Sequence, residues 1–244
     1  MRALILSDLH ANLEAVRAVL EDARPRGWDQ VWVLGDLVGY GADPEAVVGE
    51  VRALAPTVRV RGNHDKVACG LESPDGFNPT ARLAVEWTRQ ALRPDALDYL
   101  RDLPQGPVVA APGVWVAHGS PRDEDEYLLD AESAEEQFTQ GEFSLCFIGH
   151  SHIACVFSRR GGRVDRQAPP PEGLRLWPGE RHLFNPGSVG QPRDRDPRAG
   201  YAVLDTERGQ VEAYRVEYDI EGAADKIIAA GLPPLLARRL RSGA

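Results

Sequence analysis

Cysteine is scarce in this chain. Its 244 residues hold three, Cys69, Cys146 and Cys155, an odd number with no C-x-x-C pair among them. That argues against a disulfide framework or a thiolate zinc site and for reduced, buried thiols. Long apolar runs are missing too, since no segment reaches the roughly 18 apolar residues of a membrane span. The opening MRALILSDLH is too short for a signal-peptide core and lacks a cleavage site. The expectation is a cytoplasmic protein with no membrane partner. Positive charge is in deficit, with 28 Lys and Arg against 37 Asp and Glu and a formal net charge of −9. Such a balance repels phosphate backbones at long range and disfavours nucleic acid as a partner. One small anionic substrate stays open, because bound cations can reverse the field inside a single pocket. Internal repeats and long linkers are also absent, which reads as one domain over residues 1–244.

What is present is an ordinary globular composition, 43% hydrophobic and 27% charged, in a chain long enough to bury a sizeable core. Ala3–Leu6 predicts a buried parallel strand, and Leu13, Val16, Val19 and Leu20 follow helical spacing until Pro25 and Gly27 stop them. Strands are expected again at Val31–Leu34 and Val58–Val60, with a helix at Pro44–Leu54 between them. This alternation is a βαβαβ unit with a parallel sheet. Residues 64–103 are helical in pattern, with helices opening at Asn78-Pro79 and Pro94, and read as an insertion or cap over one end of the sheet. Val114–Ala117 and Leu145–Ile148 are expected strands, with an acidic helix at 131–140 between them. From 153 the pattern turns antiparallel, with strands at 153–158, 162–167, 173–176, 181–184, 200–205 and 210–217. Short helices are expected at Asp225–Ala230 and Leu235–Leu240. The fold class is α/β (α+β), a four-layer αββα sandwich of two mixed sheets packed face to face with flanking helices.

Five short motifs fall at the carboxyl ends of these strands: Asp8-x-His10, Gly35-Asp36, Gly62-Asn63-His64-Asp65, His118-Gly119 and Gly149-His150-Ser151-His152. In an open α/β sheet ligands bind at that edge. The first three motifs are spaced 28 and 27 residues apart, counting Asp8 to Asp36 to Asn63, one βα unit each. Histidine is rare, and five of the six lie in these motifs. Carboxylate, imidazole and amide oxygen together suit two divalent ions of borderline hardness, manganese first, then iron, zinc, nickel or cobalt. His150 and His152, two apart, are expected to point the same way on an extended segment.

The ordered set D-x-H, GD, GNHD, HG and GHSH resembles the signature of calcineurin-like metallophosphoesterases. Asn185-Pro186-Gly187-Ser188 followed by Tyr201–Asp205 resembles the closing strands of small bacterial YfcE-like members. The resemblance implies a β-sandwich flanked by helices. It also implies that Asp8, His10 and His152 hold a first ion, that Asp36 bridges, and that Asn63, His118 and His150 hold a second. His64 and Asp36 would be the catalytic residues, His64 serving the leaving oxygen while a metal-bridging hydroxide attacks phosphorus in line.

The second motif departs from the G-D-x-V-D-R-G of protein phosphatases and ApaH-type enzymes. Gly39 stands where their Asp backs the histidine, and Tyr40 where their Arg grips phosphate. Tyr40, Arg61 and Arg122 are therefore the candidate substrate-binding residues, with Tyr127 and Phe77 as further candidates for stacking on a base. The expected activity is hydrolysis of a small phosphodiester or nucleotide. The alternatives are a phosphomonoesterase or protein phosphatase, a dinucleoside polyphosphate hydrolase, a nuclease, and a non-catalytic metal-binding scaffold. His182 reads as structural or exposed, and the acidic run 123–126 as a solvated loop.

Overall fold

The computed structural model describes residues 1–244. β1 (Arg2–Leu6), α1 (Leu13–Ala23), β2 (Gln30–Val33), α2 (Pro44–Leu54) and β3 (Val58–Arg59) alternate as the spacing predicts. Three helices follow, α3 (Asn63–Cys69), α4 (Pro79–Ala91) and α5 (Pro94–Arg101). Then come β4 (Val108–Ala111), β5 (Val114–Val116), α6 (Ala131–Gln137) and β6 (Leu145–Phe147). The remainder is β7 (Cys155–Arg160), β8 (Arg163–Gln167), β9 (Leu174–Arg175), β10 (Arg181–Asn185), β11 (Ala199–Asp205), β12 (Gln210–Val216), α7 (Ile220–Ala229) and α8 (Pro234–Ser242).

Local chemistry explains the helix starts. The Asn12 side chain accepts the Ala15 N–H ahead of α1, and Asn78 accepts the Ala81 N–H ahead of α4. Pro44, Pro79, Pro94 and Pro234 occupy first helical positions, where a missing N–H costs nothing.

The strands form two six-stranded sheets, in the orders β3-β2-β1-β11-β12-β9 and β4-β5-β6-β10-β7-β8. Alternation along β1 shows how they stack. Ala3 and Ile5 enter the core between the sheets with Trp32, Phe147 and Phe184, whereas Leu4 and Leu6 face α1, α2, α3 and α5 on the outside. The outer face of the second sheet is covered by α6 through Ala134 and by Phe138 and Phe143 in the segment that follows it. Helix, sheet, sheet and helix are thus four layers. α4 packs against α7 and α8 through Ala81, Ala84, Ala224 and Leu236. No helix is long and apolar enough to cross a membrane.

Two differences from the sequence reading have simple causes. β4 was not expected, because VVAA is short and followed closely by a proline; it forms by pairing antiparallel with β5 across the turn at Gly113, whose φ is +71°. β10 is not antiparallel to both neighbours: it pairs antiparallel with β7 but parallel with β6. β5 and β6 are themselves parallel, so their motif loops leave at one edge, and the parallel side of β10 brings the loop after it to that same edge.

Candidate metal centre

Each motif leaves the carboxyl end of its strand, and the loops converge. Asp8, His10, Asp36 and His152 place one donor atom each within 4.8 Å of one another, and so do Asp36, His118 and His150. Asp36 belongs to both groups. Its Oδ2 lies 3.4 Å from His10 Nε2 and 3.5 Å from His118 Nε2, while His152 Nε2 lies 3.5 Å from Asp8 Oδ1. All six side chains are buried.

The backbone that brings them together is unusual. Asp8, His10, Asp36, His150 and His152 all have positive φ, between 46° and 62°. That left-handed conformation costs an L-residue roughly 1–2 kcal/mol, and it persists only where the surroundings enforce it. Here Asp8 N–H donates to Gly35 O at 3.1 Å, His10 N–H to Asp36 O at 2.9 Å, and Gly149 N–H to His118 O at 2.6 Å. The expectation that His150 and His152 share a face of an extended segment is corrected accordingly. Both are left-handed, and they join different groups, His150 with His118 and His152 with His10.

The donor set fits divalent cations. Nδ1 of His10, His118 and His152 meets the carbonyl oxygens of Val38, Leu34 and Gln191 at 3.0, 2.8 and 2.6 Å. Each Nδ1 therefore donates, which leaves Nε2 as the atom aimed inward and able to offer a lone pair to a cation. His10 Nε2 and His152 Nε2 then face each other at 3.0 Å, a repulsive contact that a cation would relieve. His150 Nε2 and Asn63 Oδ1 are buried without a hydrogen-bond partner, and His118 Nε2 has only the Asp36 carboxylate at 3.5 Å, a costly condition for groups that are not ligands. Gly62 lets Asp36 pack this closely, since a Cβ there would collide with the Asp36 carboxylate.

Electrostatics follow from burial and crowding. Burial holds His10 and His152 well below their usual range and takes His150 down to about 3. Burial acts the same way on His118, but the Asp36 and Asp8 carboxylates override it and push that imidazole up to about 10. Burial likewise raises Asp8 to about 6, against the pull of His118. A divalent cation would take the place of the proton shared in this cluster.

His64 lies in the first turn of α3 beside the donor cluster. Its N–H donates to Asp36 Oδ1 at 2.9 Å, and its ring lies 4.7 Å from Phe77 and 4.3 Å from Tyr40. Its Nδ1 is buried and unpartnered, and a Cβ at Gly39 would run into it, so position 39 does face the imidazole. Burial lowers His64 to about 4. Asp65 accepts N–H bonds from Leu37 at 2.9 Å and Gly62 at 3.0 Å, tying the second motif to the third.

A cleft of about 250 Å³ adjoins the cluster, walled by Tyr40, Asn63, His64, Phe77, Tyr127 and His150, with Glu72 and Asp125 also on its lining. Tyr127 stacks on His150 at 3.8 Å. The arginines expected at the substrate are engaged elsewhere. Arg61 forms a two-point pair with Glu124 (2.8 and 3.0 Å), and Arg122 binds Glu126 and Glu136. The acidic run is not simply solvated either. Glu124 is buried because Arg61 and Lys66 both pair with it, at 2.8 and 3.1 Å. Sequence reading gave no site role to three contributors. The Gln191 carbonyl orients His152, Asn185 Nδ2 donates to Gly149 O at 2.7 Å, and Arg193 reaches the Tyr40 ring at 5.5 Å. Only the Asn-Pro-Gly-Ser motif just upstream pointed at this loop.

The sandwich and its converging carboxylates and imidazoles define a metallophosphoesterase fold and site. The chain belongs to the calcineurin-like phosphoesterase superfamily, whose sequence model matches residues 1–209. It is similar to a metallophosphoesterase from Sphaerobacter thermophilus of known crystal structure, with 42% identity and a TM-score of 0.90 over 100% of this chain and 99% of that one. It is also 38% identical over 243 residues to an uncharacterized protein of Methanocaldococcus jannaschii, covering 98% of this chain and 97% of that one. A hypothetical protein from Pyrococcus horikoshii shares the fold, with a TM-score of 0.81 at 22% identity over 100% of this chain and 98% of that one.

Proposed function

We propose that this single-domain protein is a two-metal phosphoric ester hydrolase acting on a small phosphodiester or nucleotide. The observation that carries the reading is the sharing of Asp36 by two donor groups, Asp8, His10 and His152 on one side, His118 and His150 on the other. Asn63, with its unpartnered buried Oδ1, completes the second. Two divalent ions bound there, manganese first among the borderline metals, supply charge neutralisation at the phosphoryl oxygens and a more acidic water as nucleophile.

The chain's own residues do the rest. Burial keeps His64 neutral at pH 7, so it offers an N–H to the departing oxygen rather than a full positive charge. With Gly39 opposite Nδ1, no carboxylate holds a second proton on the ring. The helical segment 64–103 acts as the cap that brings Phe77 over His64, and Phe77, Tyr40 and Tyr127 supply flat faces for the organic part of the substrate. Glu72 and Asp125 on the cleft lining share Lys66 with Glu124, three carboxylates against Lys66 and Arg61, and the negative charge left over disfavours a leaving group bearing further phosphates.

The test compares bis-p-nitrophenyl phosphate with p-nitrophenyl phosphate, with added Mn²⁺ and with a chelator, alongside the metal content of the protein. Chelator-sensitive turnover with a preference for the diester is expected. Bound metal without turnover of either ester would instead indicate a scaffold.

A further inference from the structure

Asn63 and His150 of the donor cluster line the cleft, yet the second motif brings no cation to it, since position 40 is Tyr40. Three nearby cations are already engaged. Arg61 is held by Glu124, Arg122 by Glu126 and Glu136, and Lys66 by Glu72, Glu124 and Asp125. Arg193 differs. It lies on the loop between β10 and β11, and its N–H donates to His152 O at 3.1 Å. Two residues earlier the Gln191 carbonyl accepts from His152 Nδ1 at 2.6 Å. The loop is therefore in register with a ligand segment by two hydrogen bonds.

The Arg193 guanidinium lies 5.5 Å from the centroid of the Tyr40 ring, and that ring lies 4.7 Å from His10 and 4.3 Å from His64. Its Nη2 donates to Gln191 Oε1 at 3.0 Å, but its Nε is buried with no acceptor. No carboxylate pairs with it. The adjacent Asp194 gives its Oδ2 to Arg215 and to the Ala154 N–H at 3.2 Å, and its buried Oδ1 has no hydrogen-bond partner, Arg193 included. A half-buried guanidinium with an empty donor and no counter-charge is costly unless an anion arrives to complete it. The positive charge also acts on both phenols of the cleft: it opposes the upward push of burial on Tyr40 and Tyr127. The cation thus sits at the rim, one ring away from His10 and His64.

Resting on the phosphoesterase reading above, we propose that Arg193 is the anion-binding residue of this site, holding a non-bridging phosphoryl oxygen of the substrate beside Tyr40. A guanidinium does this better than an ammonium, because its fixed fork can offer two N–H groups to one phosphoryl group. The position also explains how a tyrosine can occupy the second motif: the grip comes from a different loop.

The probe is inorganic phosphate as a competitive inhibitor of diester hydrolysis by the Mn²⁺-loaded protein. In Arg193→Gln the inhibition constant for phosphate rises and kcat/KM falls, each about 10–100-fold, with metal content and melting temperature unchanged. Arg193→Lys recovers only part of the loss, and free guanidinium ion restores part of the activity of Arg193→Ala. An unchanged inhibition constant in Arg193→Gln overturns the proposal. So does a loss of bound metal that accounts for the whole effect, since Arg193 would then only brace His152. The wild-type protein provides a check independent of folding of the variants. Phosphate is expected to protect Arg193 from phenylglyoxal, read by peptide mass mapping, and no protection overturns the proposal. Protection in a protein that hydrolyses neither ester would sustain the anion site while the hydrolase reading falls.

Discussion

At the metal rim the donors leave strand ends and are fixed by main-chain geometry, whereas the cleft wall is held by side chains. Asp8, His10, Asp36, His150 and His152 keep left-handed backbones, and main-chain bonds such as His10 N–H to Asp36 O at 2.9 Å enforce them. The wall depends instead on Lys66, whose Nζ meets Glu72 at 2.9 Å, Glu124 at 3.1 Å and Asp125 at 2.6 Å. Glu72 and Asp125 are 52% and 41% exposed, so solvent and salt weaken these links. Rim geometry is thus a property of the topology and tolerates little change. Wall shape rests on single side chains that lie outside the donor cluster.

The largest effect that sharpens this contrast is expected at His64, which touches both regions. In His64→Ala the turnover number for the diester should fall about 10²–10⁴-fold, more for a poor leaving group than for nitrophenolate, while bound metal stays constant. Steady-state kinetics on two diesters of different leaving-group acidity, with metal analysis, would read both. An equal fall for both esters would move His64 from the leaving group to general packing.

A smaller effect is expected in the wall. Lys66→Met leaves Glu72, Glu124 and Asp125 with Arg61 as the only remaining basic partner near them. The expected cost is about 1–3 kcal/mol of stability, since bonds to charged groups are of that size. For a chain of this length that is a few degrees to about ten in melting temperature. KM should rise as the 119–127 loop loosens, with kcat nearly unchanged. Loss of metal in this variant would break the comparison, because rim and wall would then be one unit.

Much of this was legible in the sequence for reasons that differ by region. Asp43-Pro44 and Asn78-Pro79 announce helix starts through local chemistry, and the regular spacing of Asp8, Asp36 and Asn63 follows from one βα unit each. The ordered motifs therefore pointed to the converging rim. What stayed hidden depends on contacts far apart in the chain. β10 runs parallel to β6 only because β7 returns beside it. The left-handed backbones of His150 and His152 come from tertiary hydrogen bonds, not from their own preferences. Arg61 and Arg122 looked available because their partners Glu124, Glu126 and Glu136 lie outside the motifs that drew attention to them. Arg193 reaches Tyr40 across 153 residues, a juxtaposition no local pattern encodes.

The smallest expected effect uses the one histidine away from the rim. His182 is buried in β10, with Nδ1 at 2.9 Å from Ser158 Oγ and Nε2 at 3.4 Å from Glu180. Burial lowers its pKa below 6.5, and the Glu180 carboxylate only partly opposes that. Because the folded value is depressed, the unfolded chain takes up a proton below about pH 6.5 that the folded chain refuses. Stability from the neutral imidazole is therefore complete above that pH and declines as pH falls toward the folded value. For one proton the slope is at most about 1.4 kcal/mol per pH unit. Denaturant titrations of wild type and His182→Gln between pH 7.5 and 5 isolate this contribution, since the rim histidines are common to both. A shallower acid decline in the variant is expected. Identical slopes would place the acid sensitivity entirely on the rim, where Asp36 and its imidazoles respond together.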